Sequence, residues 1–117
     1  MQIRNQTRGT TVASRVRVAD NFLTRGRGLI GMPPLQAGEG LVIRPCKGIH
    51  MWFMKYPIDV VYVDREDRVV DVDENMQPWR LGRPRARARY VIELPAGAAR
   101  ASGVQAGDQL VFVESSV

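Results

Sequence analysis

One cysteine and one histidine are all that the 117 residues offer of the two side chains most often used for zinc binding and thiol catalysis. A single Cys excludes an intramolecular disulfide and agrees with a reducing compartment. One Cys with one His leaves a zinc site short of ligands that only Asp or Glu could supply, and there is no CxxC or HxxxH spacing to support one. No loop of the GxxxxGKS type is present either, so neither a metal nor a cofactor is expected. No window approaches the roughly 18 to 20 apolar residues of a membrane span, and the first nine residues lack the ~7 to 15 residue apolar core of a secretory signal. The expectation is a cytoplasmic protein with no membrane partner.

What is present fits an ordinary globular chain. Hydrophobic residues make up 44% and charged residues 25%, which is enough to fold and stay in solution. The length suits one domain over residues 1–117, burying about two-thirds of its unfolded surface. The net charge of +5 is unevenly spread. Residues 1–38 hold six Arg against Asp20, residues 59–74 hold seven acids against two Arg, and residues 75–92 hold five Arg and no acid. A basic balance of this kind is weak evidence for nucleic acid, because much of it can be neutralised by pairing within the fold.

Hydrophobic patterning points to strands. Residues 11–18 alternate with Val12, Val16 and Val18 on one parity, and residues 41–43 form a short apolar run. Residues 49–54 and 58–63 read as two adjacent strands around a bend at Tyr56-Pro57, and residues 58–73 as a hairpin across the polar stretch 64–68. Residues 90–94 and 109–113 are two further strands. Asp20 caps a predicted short helix running to about Gly28, and Pro95 and Gly103 bracket a second. About seven strands with two short helices predict a mainly β fold, a compact β-sandwich or jelly-roll-like barrel.

Several ordered segments carry a family resemblance. They are Gly28-Leu-Ile-Gly-Met32, Gly38-Glu-Gly-Leu41, Ile49-His-Met-Trp-Phe-Met54, Ile58-Asp-Val-Val-Tyr-Val-Asp64, Tyr90-Val-Ile-Glu-Leu-Pro-Ala-Gly97 and Gly107-Asp108. Over about residues 11 to 114 this succession resembles the bacterial and archaeal family called domain of unknown function 192. That family often reads Gly-Leu-Met where this chain has Gly28-Leu-Ile30, a conservative apolar change. The resemblance implies a small β-rich, jelly-roll-like fold and no established activity or catalytic residues. Some members resemble exported or lipid-anchored proteins with a leader that this sequence lacks.

Four groups of residues are candidates for chemistry. Cys46 and His50 would form a thiolate and base if a bend at Gly48 brought them together, whereas an extended strand would separate their Cα atoms by about 13 Å. Asp59 and Glu93 each interrupt an apolar strand. Facing one another they would make an acid–base pair, and singly each would point to solvent, accept backbone N–H bonds or pair with Arg. Arg83, Arg85, Arg87 and Arg89 recur at every second position, so an extended backbone would project all four to one side, with Arg80 and Trp79 nearby. Met51, Trp52, Phe53, Met54 and Tyr56 supply apolar area to both faces of their segment, as core or as the wall of a pocket.

The leading expectation is a non-enzymatic β domain with a small-molecule or acidic partner, its pocket near His50, Trp52 and Asp59 and its rim formed by the arginines of residues 80–89. One alternative is a hydrolase or thiol-dependent enzyme built on Cys46, His50 and Asp59. Another is sequence-independent binding of nucleic acid or another polyanion through Arg83 to Arg89.

Overall fold

A strand buried on both faces reads as a continuous apolar run, and Ile58-Asp-Val-Val-Tyr-Val63 is such a run. The computed structural model describes residues 1–21, 28–51 and 54–114. Among these residues the strands are β1 (Gln2–Asn5), β2 (Thr10–Ala13), β3 (Arg15–Ala19), β4 (Glu39–Ile43), β5 (Ile58–Val63), β6 (Val69–Met76), β7 (Tyr90–Pro95) and β8 (Leu110–Val113), and a short helix is α1 (Ala98–Ser102). They form a five-stranded sheet in the order β3-β4-β7-β5-β6 and a three-stranded sheet in the order β2-β1-β8. All six residues of β5 are buried.

The two faces of the larger sheet carry two cores. Val42, Val61, Val63, Ile92 and Leu94 join Ile3, Val12, Ala13 and Leu110 of the smaller sheet in one. Leu41, Ile43, Ile58, Val60, Tyr62 and Val91 form the other, covered by Leu29, Leu35, Met51 and Met54 from the connecting segments. Each fully buried Ile or Leu contributes about 1.5–3 kcal/mol by leaving water. The second core holds the candidate site.

The mainly β prediction holds, with eight strands among the described residues in place of about seven, arranged in two sheets and not in the barrel that was the second of the two expected forms. The β3–β4 pair is parallel, which departs from the antiparallel pairing of a jelly roll. The single strand expected over residues 11–18 is two strands in different sheets. They break at Ser14, where the N–H groups of Ser14 and Arg15 both donate to the Gly38 carbonyl at 2.8 and 2.9 Å. The predicted β5–β6 hairpin is present, its turn organised by Asp64 Oδ1, which accepts the N–H groups of Glu66 and Arg68 at 2.9 Å each. Pro95 does not open the helix as expected. It ends β7, and Gly97 in the left-handed region (φ 95°) starts α1, which Gly103 (φ 73°) terminates. The helix expected after Asp20 falls mostly on residues 22–27, outside the described residues.

Residues 49–54 do not form the expected strand among their described positions. Residues 49–51 run irregularly, held by a bridge between His50 and Leu81 and by bonds with residues 79–82. Met51 N–H donates to the Arg80 carbonyl at 2.6 Å, and Trp79 N–H and Gly82 N–H donate to the carbonyls of Met51 and Ile49 at 2.7 Å each. A side chain at position 82 would place its Cβ 2.7 Å from the Ile49 oxygen, so only glycine allows this approach.

Candidate ligand-binding site

Side-chain alternation along β7 puts Val91 and Glu93 on the second core's face and Ile92 and Leu94 on the first's. Glu93 pairs across the sheet with Leu41 on one side and Val60 on the other, so its carboxyl projects from the middle of the sheet into apolar surroundings. Glu93 is only 5% exposed, and its Oε1 is buried without a hydrogen-bond partner. Burial raises its pKa to about 8, because the ionised form has lost water without gaining a donor.

The carboxyl borders a cavity of about 70 Å³. Its apolar wall comprises Leu29, Ile30, Ile43, Ile49, Met51 and Met54, and its polar groups are Cys46, His50 and Glu93. By the same measure a water occupies ~10–15 Å³, so the space holds several waters or one small organic group. Gly28 closes one side in the left-handed conformation (φ 51°). A Cβ there would lie 3.7 Å from Glu93 Oε1 and 3.6 Å from Ile43 Cδ1, in contact with both. Tyr56 donates its hydroxyl toward the carbonyls of Met32 and Pro33, 3.2 Å each, and so ties the segment after Gly28 to the segment after Met54. Burial and then the Glu93 charge raise the Tyr56 pKa, with Arg17 opposing.

Cys46 and His50 are therefore on one cavity with Glu93, although no strand carries them. The Cys46 thiol donates to the Gly48 carbonyl at 3.0 Å, and its N–H donates to the Arg89 carbonyl at 2.7 Å. Among the described residues no three His, Cys, Asp or Glu side chains gather closely enough to hold one metal ion, so Cys46, His50 and Glu93 surround the space without converging on a point.

Asp59 does not belong to this site. It lies on the opposite face of β5, fully buried, where Oδ1 accepts Asn75 N–H at 2.8 Å and Oδ2 accepts Gly97 and Ala99 N–H at 3.0 and 2.9 Å. Three backbone donors satisfy it, two of them at the start of α1, so it is an anchor for α1 and the end of β6. This corrects three expectations: the pocket around His50 and Asp59, the Cys46–His50–Asp59 set, and the facing pair of Asp59 with Glu93. Trp52, the remaining member of the expected pocket, lies outside the described residues.

The arginine comb is not formed as expected. A turn at residues 86–87, closed by Ala88 N–H to the Arg85 carbonyl at 3.0 Å, breaks the extended backbone that would align the four side chains. Arg85 folds inward, its side chain 12% exposed. Its Nη2 lies 3.0 Å from Asp71 Oδ2 and 2.8 Å from Asp73 Oδ1, and its guanidinium carbon sits 4.0 Å from the centroid of the Tyr62 ring. Tyr62 in turn donates to Asp73 Oδ2 at 2.8 Å, so the central basic and acidic segments neutralise one another here. Arg80, Arg83, Arg87 and Arg89 remain exposed.

Sequence reasoning marked Glu93, Cys46 and His50 but missed that Gly28, Leu29 and Ile43 complete their enclosure. It named Asp108 only within the family resemblance and missed that its side chain is buried, just ahead of β8. Burial pushes the Asp108 pKa up, but hydrogen bonds from Arg8 Nε and Asn5 Nδ2, 2.8 Å each, and from Gln105 N–H at 3.0 Å outweigh this and hold it below the usual value.

No helix among the described residues is long and apolar enough to cross a membrane. The chain is similar to a UPF0127 protein of Pyrococcus horikoshii, 37% identical over 109 residues that cover 91% of this chain and 94% of the relative. A UPF0127 protein of Thermococcus kodakarensis is 38% identical over 108 residues, covering 89% and 68%. Among solved structures, a protein of unknown function from Novosphingobium aromaticivorans shares the fold with a TM-score of 0.80 at 21% identity, over 95% of this chain and 82% of that one. A Sinorhizobium meliloti protein, provisionally labelled a transcription regulator, has a TM-score of 0.78 at 22% identity, over 94% and 89%. At such identities these two likenesses speak for the fold alone. The DUF192 family, described as an uncharacterized ACR, matches residues 3–112, and the chain belongs to that family.

Proposed function

We propose that this protein is a non-enzymatic, small-molecule-binding β domain whose ligand enters the cavity at Glu93. The observation that carries the reading is a carboxyl 5% exposed, with an oxygen that accepts no hydrogen bond, beside a space of about 70 Å³. Buried polar groups are nearly always satisfied, and an unsatisfied one costs roughly 1–3 kcal/mol, so a ligand supplying a donor recovers that cost on binding. Apolar walls with a few polar groups are the usual make-up of a small-molecule site. The inter-sheet core supports one domain over residues 1–117, and the lone cysteine supports a cytoplasmic setting.

A thermal-shift screen of small metabolites on the wild type and on Glu93→Gln tests this reading, because a ligand of the folded state raises Tm by mass action. Hits on the wild type that fail on the variant support it. A screen in which no compound discriminates between the two overturns it.

A second reading, a thiol-dependent hydrolase, draws on the placement of Cys46 and His50 on the same cavity, with Glu93 replacing Asp59 as the nearby carboxyl. Thiolate chemistry needs a depressed thiol pKa. Iodoacetamide alkylation of Cys46 with a midpoint below about pH 7 favours the enzyme, and a midpoint at or above the ordinary ~8.5 removes it.

A further inference from the structure

The cavity is asymmetric in charge. Its lining includes a carboxyl but no Lys or Arg among the described residues, and the neighbouring titratable groups are Cys46, His50 and Tyr56, with Arg17 acting on Tyr56. An anionic ligand entering here would meet Glu93 with no Lys or Arg among the described lining residues to compensate. Removing water from Glu93 has the opposite effect on a cation, since an ionised carboxylate with a bare oxygen is strongly attracted to a donor that also carries positive charge. Met51 and Met54 add polarizable sulfur to the wall, suited to a short aliphatic body of uncertain shape.

We infer that the ligand is a small organic cation, an alkylammonium or similar N–H⁺ group on a short apolar body, which docks on Glu93 and displaces its proton. The inference rests on the binding reading above and adds the ligand's charge. Before a ligand binds, burial keeps the carboxyl protonated at neutral pH, its pKa raised to about 8. Binding exchanges O–H for O⁻ paired with N–H⁺, and one proton leaves to solvent for each cation bound. Association is consequently linked to pH. The constant rises about tenfold per pH unit below the carboxyl's pKa and levels off above it. A neutral ligand that accepts a hydrogen bond from the protonated carboxyl behaves oppositely, with a level constant at low pH that falls above the pKa.

The test uses the whole chain and three small probes: ethylammonium and ethanol, each of about three heavy atoms, and acetate, of about four. Chemical shifts of the Ile43, Met51 and Met54 methyls are followed by NMR at pH 6, 7, 8 and 9. A three-heavy-atom probe binds no more tightly than about millimolar, so titrations run to high concentration at constant ionic strength. The expected result is saturable binding of ethylammonium, about tenfold stronger at pH 7 than at pH 6, with ethanol weaker and acetate weakest. Glu93→Gln should weaken ethylammonium at least tenfold at pH 8 and abolish the pH slope, while leaving ethanol within about twofold. Loss of the slope in this variant assigns the proton to Glu93. If the variant does not fold, the slope of the wild type and the order of the three probes decide the matter. Ethanol or acetate binding more tightly than ethylammonium, or an ammonium constant independent of pH, overturns the cation inference and leaves the pocket reading intact. Failure of all three probes to shift the methyls removes both.

Discussion

Asp59 and Glu93 occupy adjacent strands of one sheet and face opposite ways. Across the β5–β7 ladder Asp59 lies opposite Leu94 and Glu93 opposite Val60, so a one-residue offset sends the two carboxyls into different cores. Asp59 accepts three backbone N–H groups, whereas Glu93 Oε1 accepts none. Two acids that look alike in sequence thus have opposite effects on stability.

Asp59→Ala should destabilise the protein by on the order of 3–5 kcal/mol, because it leaves three backbone donors without their acceptor at the start of α1 and the end of β6. Urea unfolding at pH 7 checks this. A loss below about 1 kcal/mol would show that water or neighbouring groups replace the carboxylate.

Glu93→Gln should stabilise the protein at high pH and leave it nearly unchanged at low pH. The folded state holds the Glu93 proton more tightly than the unfolded chain. This contribution to stability is therefore fully present below the unfolded value of 4.5 and is lost as pH rises toward the folded value of about 8. The slope approaches about 1.4 kcal/mol per pH unit inside that window. Urea melts from pH 4 to 9 should show a decline for the wild type that is flattened in the variant.

Much of the fold is legible in the residues and much of the site is not. The runs at residues 58–63 and 90–94 announce β5 and β7 through burial on both faces, a property of the side chains themselves. Strand β1 has one buried apolar residue, Ile3, and gains its structure from pairing with β2 and β8, the latter from the far end of the chain. The arginine alternation at residues 83–89 presumes an extended backbone that the turn at residues 86–87 removes. Glu93 stands out as an acid in an apolar strand, but its partnerless oxygen depends on which segments cover that face. Those segments, around Gly28 and Met51, are remote in sequence, and no local pattern brings them together.

Arg85→Ala should cost about 1–3 kcal/mol, since it removes two charge-assisted contacts and the guanidinium on Tyr62 and leaves Asp71 beside Asp73. Arg87→Ala, an exposed position, should change stability by less than about 0.5 kcal/mol. Chemical denaturation of the two variants side by side separates the internal arginine from the surface one, and equal effects would contradict the pairing described.

Asp108→Asn should weaken the protein at neutral pH and remove part of its sensitivity to acid. Hydrogen bonds from Arg8 and Asn5 hold the Asp108 carboxyl below its ordinary pKa despite burial. Its stabilisation is therefore present above the unfolded value of 3.8 and lost as pH falls through the lower folded value. Thermal melts between pH 2 and 5 should show a shallower acid limb for the variant than for the wild type.

The central claim is that Glu93 is a buried carboxyl whose Oε1 has no hydrogen-bond partner, on the cavity proposed as a ligand site. Its most direct test is the titration of the Glu93 side-chain carboxyl carbon by NMR in protein labelled with ¹³C-glutamate, assigned by its absence from Glu93→Gln. The account predicts a midpoint near pH 8, well above the other glutamates. A midpoint near the ordinary 4.5 would mean that water or a donor already satisfies the carboxylate, and would contradict the account.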